Sequence, residues 1–366
     1  MKKLIALLLS VLLVLTSIAA LAESEAFDKY PRPRIVEAPK VAMLVRNADS
    51  ESQIRSRQQA EIEVAHRGWE LVTIVYEVDT SFRDAFQNAL NQNVDAIIIN
   101  STESLVSRLD LLEKARNAGV GLYCNDVQVV DGIIMNSTMP NGAAAMQMMY
   151  RIGEDYSWKL HFCTIDYSAQ QITVERNEGI KAFANHPGCY PDMKHFASDE
   201  APNPQVAYDL TSAWLQKYDE DINFIWACAD FTGIPASEAI AQSGDPTGEK
   251  WAVCGFDGGL QAWSYIRSNT PFQYSYAQPF ENYVHSCFEA INDIQVKGLN
   301  PGDEGCILKL CGETVYSEGN VITRSNCPDV GTVIHEIFSY YDENATDAWY
   351  TWTDGPGPYI VGEYIG

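Results

Sequence analysis

From Val41 onward the chain alternates short β-rich runs with amphipathic stretches of helical period, and few architectures accommodate that rhythm. VAMLV is followed by a segment from Ser52 to Arg67 in which Ile54, Ile62 and Ala65 recur at helical spacing. ELVTIVY comes next, and Phe82, Ala85, Phe86, Ala89 and Leu90 then mark a second helix face. DAIIIN, a helix carrying Leu105, Leu109, Leu112 and Ala115, and VGLYC complete a first set. GIIMN then leads through Ser137-Thr138-Met139-Pro140-Asn141 into a second series. Its strands are KLHFCTI, INFIWAC, WAVCGF and QYSYA, and its helices begin near Thr173, Pro204, Thr232 and Gly259. Parallel strands need long crossovers, and helices supply them, covering both faces of the sheet. The expected fold class is therefore α/β, and two α/β lobes in series are the simplest reading. The length of 366 residues also exceeds what one core usually holds.

The first residues point to export. Lys2 and Lys3 precede an apolar stretch from Leu4 to Ala19, and Ala20-Leu21-Ala22 puts small residues at the cleavage positions, so 1–22 reads as a secretory signal peptide. Retention as an anchor is the alternative, although the stretch is near the short limit for a membrane span. The mature chain is expected outside the cytoplasm, periplasmic or extracellular. A formal net charge of −24 makes nucleic acid a poor partner.

Among nine cysteines, Cys124, Cys163, Cys228 and Cys254 fall in apolar strand-like runs and are expected to pack as small buried hydrophobes. Cys306, Cys311 and Cys327 occupy a turn-rich segment where an oxidising compartment allows a disulfide. His161 and Cys163 with His186 and Cys189 match no zinc spacing, and ordinary packing is the preferred reading. No metal or other cofactor is expected.

Polar residues recur where the apolar runs end: Asn100 after DAIII, Asn125 and Asp126 after GVGLYC, Asp230 after INFIWACA, and Asp257 in KWAVCGFDGG. In open α/β sheets a ligand binds outside the carboxyl ends of the strands, so these are candidate binding positions. Arg176 stands near the start of the helix after KLHFCTI. A guanidinium there needs acceptors, either a ligand's hydroxyls and carboxylates or the neighbouring Glu175 and Glu178. Asp257 has a second reading as the N-cap of the helix that begins near Gly259.

INSTES, YCND, ERNEG, the tip ACAD, GFDG and YAQP, in that order behind a signal peptide, resemble the type I periplasmic sugar-binding proteins of the ribose- and galactose-binding kind. The resemblance runs from about Val41 to about Asn326 and implies two Rossmann-like lobes, parallel sheets flanked by helices, joined by a three-crossover hinge that close on a small ligand. It suggests residues 41–137 plus 279–305 for the N-terminal lobe and 138–278 plus 306–328 for the C-terminal lobe. An aromatic, acidic extension, 329–366, follows. Asn125 and Asp126 take the place of the pair at the fourth strand tip. Arg176 is the ligand-gripping arginine, Asp257 the acid of the GFDG turn, and Gln278 the glutamine after YSYA.

The chain departs from the family at the first tip, where Arg46-Asn47-Ala48-Asp49-Ser50 replaces the usual asparagine, proline and aromatic residues. Asn47 is the polar candidate there. Tyr167 and Phe231, just beyond strand ends, are candidates for the aromatic wall, with ordinary packing as the alternative. Ala229 replaces a common asparagine while Asp230 keeps the acid. A plain pentose or hexose is the leading ligand, with an amino sugar or other modified sugar as the alternative. The partners implied are that sugar and an ABC transporter permease, with the protein itself a monomer; a sensor subunit is the runner-up. Nucleophile elbows, phosphate loops, paired metal ligands and a dinucleotide fingerprint are all missing from the sequence, and catalysis is not expected. Asp126 and Asp257 could form a glycosidase-like carboxylate pair, but acids facing a sugar also serve simply as acceptors.

Overall fold

The computed structural model describes residues 27, 31–47, 50–77, 81–100, 104–184 and 190–364. The signal segment, Ala48, Asp49, His186 and Cys189 lie outside the described residues. Among those described, twelve strands form two six-stranded sheets. The first contains β1 (Lys40–Arg46), β2 (Glu70–Tyr76), β3 (Ala96–Asn100), β4 (Gly121–Asn125), β5 (Met135–Thr138) and β11 (Glu313–Tyr316), in the order β11-β5-β4-β3-β1-β2. The second contains β6 (His161–Asp166), β7 (Lys194–Glu200), β8 (Phe224–Ala227), β9 (Ala252–Asp257), β10 (Phe272–Ala277) and β12 (Asn320–Ile322), in the order β12-β10-β9-β8-β6-β7. Every pairing is parallel except β10 with β12.

The connecting helices are α1 (Glu51–Arg67), α2 (Phe82–Asn91), α3 (Leu109–Asn117), α4 (Asn141–Asp155), α5 (Gln171–Ala184), α6 (Pro204–Tyr218), α7 (Asp230–Gln242), α8 (Leu260–Arg267) and α9 (Phe280–Ile291). They cover both faces of each sheet, so a central strand such as β3 is apolar without alternation and buried along its whole length. Each sheet therefore carries two cores. Ile97 and Ile99 face one side and Ile98 the other; in the second sheet Ile225 and Ala227 oppose Phe224 and Trp226. This is the two-lobed α/β fold expected from the rhythm.

The chain passes between sheets three times: from β5 into α4, from β10 into α9, and from β11 to β12. The last passage corrects the assignment of 306–328 to the second lobe. Glu313–Tyr316 pairs with Met135–Thr138, and Leu308 is buried with Val41, Met43 and Phe288 in the first lobe. Only from Asn320 does the segment join the second sheet. That division also separates the late cysteines. Cys306 and Cys311 pack against the first lobe, Cys327 against the core of the second, and all are free thiols, so the disulfide considered among them is not formed. Cys124, Cys163 and Cys254 are buried in strands, and Cys228 is buried just past the end of β8, as expected.

The carboxyl-terminal extension is a strap. Ile334, Phe338 and Val361 are buried in the second lobe's core, where Val333 and Ile360 form an antiparallel bridge. Between these anchors the chain reaches helices of the first lobe. Trp349 stacks on His285 of α9 at 4.3 Å, and Trp352 stacks on His66 of α1 at 3.7 Å. His66 Nδ1 also lies 2.8 Å from Asp354, and the Gln58 amide donates to the Gly357 carbonyl. Near the hinge, Arg55 of α1 forms a two-point ion pair with Glu281 at 2.7 and 2.8 Å and donates to the Gln278 carbonyl, with both charged side chains fully buried.

Candidate functional site

A cleft of about 390 Å³ opens at the carboxyl ends of the strands, between the two sheets. The first lobe contributes Arg46 and Asn47 at the end of β1, Gln53 from α1 and Asp126 after β4. The second contributes Tyr167 after β6, Arg176 from α5, Phe231 from α7 and Asp257 at the end of β9. Gln278 and Phe280 enter from the second crossover. Asn47, Asp126 and Asp257 all adopt positive φ, at 53°, 56° and 123°. Such angles are uncommon outside glycine, and asparagine and aspartate tolerate them best. The backbone reverses at each tip, turning these short polar side chains away from the sheet and into the cleft.

Arg176 is 1 % exposed, which excludes the reading of a surface arginine paired with Glu175 or Glu178. Its Nε donates to Asn141 Oδ1 at 2.9 Å and its Nη1 to the Cys228 carbonyl at 2.9 Å. The guanidinium also lies over the Phe256 ring at 4.8 Å, and Nη1 is 3.9 Å from Asp257. Nη2 is buried with no hydrogen-bond partner among the described residues. A buried charged donor left unmade is costly, and this nitrogen remains available to an acceptor. Asn141 joins Arg176 to the first lobe: its Nδ2 donates to the Met139 carbonyl and approaches Thr138 Oγ1, which in turn donates to Asp126 at 2.6 Å. The first crossover thus carries a continuous polar path from one wall of the cleft to the other.

Asp257 accepts from Gln278 Nε2 at 2.6 Å and is the most open carboxylate of the group. Burial pushes its carboxyl up to about 6, against the opposing pull of Arg176. Asp126 is raised for the same reason, also against Arg176. Two acids and one guanidinium therefore share one cleft, which offers both donors and acceptors.

Asp257 does not cap α8. That work falls to Asp230 and Glu51. Asp230 takes the Gly258 and Gly259 amides on one oxygen and the Ser275 hydroxyl on the other, and Glu51 takes the Leu260 amide from across the cleft. Gly258 has φ +68, and a Cβ there would meet Ala277 at 2.6 Å, so the GFDGG turn has no room for a side chain at that position. Burial and the nearby Asp257 charge raise the Asp230 carboxyl well above its ordinary range. Asp230 is thus a brace for the turn, bordering an adjoining chamber and not the main cleft.

Asn125 is, with Asp230, an expected contact that the structure places outside the main cleft. It is the last residue of β4, 1 % exposed, and its amide donates to Asn100, which donates to Gln53. Asn125 supports Gln53 from behind, while its neighbour Asp126 lines the cleft. Tyr167 and Phe231 do meet there, edge to face at 5.3 Å. Phe280, which the sequence reading overlooked, lines the cleft as well; its signal was its place directly after Gln278-Pro279. Among the described residues no group of three or more His, Cys, Asp and Glu side chains is placed to hold a metal ion.

Residues 41–297 match the family model described as a periplasmic binding protein domain. The chain belongs to this family. Its fold is shared with solved structures of low sequence identity. One is a periplasmic solute-binding protein of an ABC transporter from Actinobacillus succinogenes with bound D-allose, 22% identical, with a TM-score of 0.68 over 79% of this chain and 99% of the other. A sugar-binding protein of a sugar ABC transporter from Bacillus halodurans is 15% identical, with a TM-score of 0.70 over 79% and 98%. A second Bacillus halodurans solute-binding protein, with bound myo-inositol, is 16% identical, with a TM-score of 0.66 over 80% and 97%. The fold is therefore that of the type I periplasmic binding proteins. No curated protein matches the chain.

Proposed function

We propose that this chain is an extracytoplasmic, non-catalytic receptor that captures a small saccharide in the cleft between its lobes and delivers it to an ABC importer. The observation that carries the reading is the unpartnered Arg176 Nη2, buried in a cleft whose acids come from opposite lobes, Asp126 from one and Asp257 from the other. A ligand with hydroxyls on both edges satisfies groups on both lobes at once and so favours the arrangement in which they face each other. Tyr167, Phe231 and Phe280 offer apolar faces for the C–H side of a sugar ring. The family match and the sugar- and inositol-bound neighbours support the same class of ligand.

The test is a thermal-shift and calorimetry screen of protein stripped of carried-over ligand by unfolding and refolding. Pentoses, hexoses, amino sugars, inositols, nucleosides and amino acids make up the panel. Binding to N alone raises Tm with ligand concentration. A saccharide or cyclitol that raises Tm and saturates at one per chain supports the reading. A response confined to amino acids or nucleosides refutes it.

A further inference from the structure

The cleft does not end at Asp257. It continues into a second chamber of about 240 Å³, which shares Ser50, Ser52, Phe231, Asp257 and Phe280 with the first. Beyond them it is lined by Ile234 of α7, Gln261 of α8 and Arg55 of α1. Of its carboxylates, Glu51 and Asp230 are already occupied, and Asp257 is shared with the first chamber. Glu51 accepts from the Leu260 amide and the Tyr359 hydroxyl, and both Asp230 oxygens hold the turn. Arg55 gives Nε and Nη2 to Glu281 and the Gln278 carbonyl, while its Nη1 has no partner among the described residues.

What remains for an occupant is an apolar wall of Phe231, Phe280 and Ile234 together with one guanidinium N–H. A cation finds only Asp257, whose charge already faces Arg176 in the first chamber, and an anion meets an arginine already neutralised by Glu281. A ring with one C–H face and hydroxyls at its edge fits both features. We infer that the natural ligand is a glycoside of two rings, one held by Asp126, Arg176 and Asp257, the other seated in the Phe231–Phe280–Ile234 chamber. The inference rests on the saccharide reading above and narrows it.

Calorimetry on the stripped, full-length mature protein tests this with glucose, galactose and ribose beside cellobiose, lactose, maltose and melibiose. One disaccharide is expected to bind at least about ten-fold more tightly than its component monosaccharides. Ile234→Trp fills the chamber and is expected to remove that gain while monosaccharide affinity stays unchanged. Gln261→Trp does the same from a partly exposed position and keeps the test valid if the buried substitution fails to fold. Monosaccharides that bind as tightly as every disaccharide, or variants that keep the gain, overturn the second subsite and leave the receptor reading standing. Absence of binding to these sugars and to every saccharide and cyclitol of the thermal-shift screen overturns both, which separates the two failures.

Discussion

Asp257→Asn should make the ligand-free protein more stable and a poorer binder at the same time. The carboxyl has an ordinary value of 3.8 and is pushed up to about 6 by burial, a value that already includes the attraction of Arg176. The folded state therefore holds this proton more tightly than the unfolded state does. Its contribution is fully present below pH 4 and is lost as pH rises through 6, leaving the ionised group a net cost at pH 7. A shift of this size corresponds to about 3 kcal/mol at most. Because the side chain is 35% exposed to the cleft, solvent reduces that to about 1 kcal/mol. An isosteric amide keeps the acceptor for Gln278 and removes the charge, so Tm at pH 7.5 should rise by about 2 °C. The gain should vanish at pH 4, where the wild-type acid is protonated. Differential scanning calorimetry of ligand-free protein at both pH values, with titration of the best saccharide from the screen, makes the comparison. A Tm that falls equally at both pH values, with affinity retained, would refute the reasoning and make Asp257 a structural residue.

Other perturbations separate binding from scaffolding. Arg176→Met should weaken saccharide binding by about ten- to a hundred-fold, since a hydrogen bond to a charged group contributes roughly 1.5–3 kcal/mol; calorimetry reads it, and unchanged affinity would remove Arg176 from the site. Glu281→Gln strands the buried Arg55 and should cost about 3–5 kcal/mol in urea unfolding, and a loss below about 1 kcal/mol would show that water reaches the pair. His335 is held neutral by burial, down to about 4 from 6.5, so its contribution is complete above pH 6.5 and lost as pH falls toward 4. His335→Gln should flatten that limb of the stability–pH curve, and an unaltered limb would assign it to other groups. Trp349→Ala with Trp352→Ala should detach the strap from α1 and α9. Faster hydrogen exchange in the extension, with protection of the second-lobe core unchanged, is the expected signature, and unaltered exchange would deny the stacking any role.

The alternation of strand and helix was legible because both faces of each sheet are covered, which makes strands such as β3 and β8 continuous apolar runs. β7 was missed because KHFASDE lies at the sheet edge and is mostly solvent-exposed, so its composition resembles a loop. The three- and four-residue strands β11 and β12 are too short for periodicity to register, which is why the last crossover was placed too early. At the site, residue type located the strand tips but not the direction in which each side chain points. Asn125 and Asp126 are neighbours with opposite fates, decided by a φ of 56° at the second. Asp230 and Asp257 look equivalent in sequence and differ in whether backbone amides have already claimed their oxygens. The strap's contacts join residues nearly three hundred positions apart, as with His66 and Asp354, and no local pattern encodes them.

The left-handed backbone at Asn47, Asp126 and Asp257 restricts how such a protein can diversify. Branched and bulky side chains are disfavoured at positive φ, which leaves those three positions a vocabulary of little more than asparagine, aspartate and glycine. A lineage drifting toward a new ligand would have to write the change into the positions free of that restriction: Tyr167, Arg176, Phe231 and Phe280. Sequence variation among descendants should then be concentrated on the aromatic wall and the guanidinium, with the strand tips alternating between an acid and its amide.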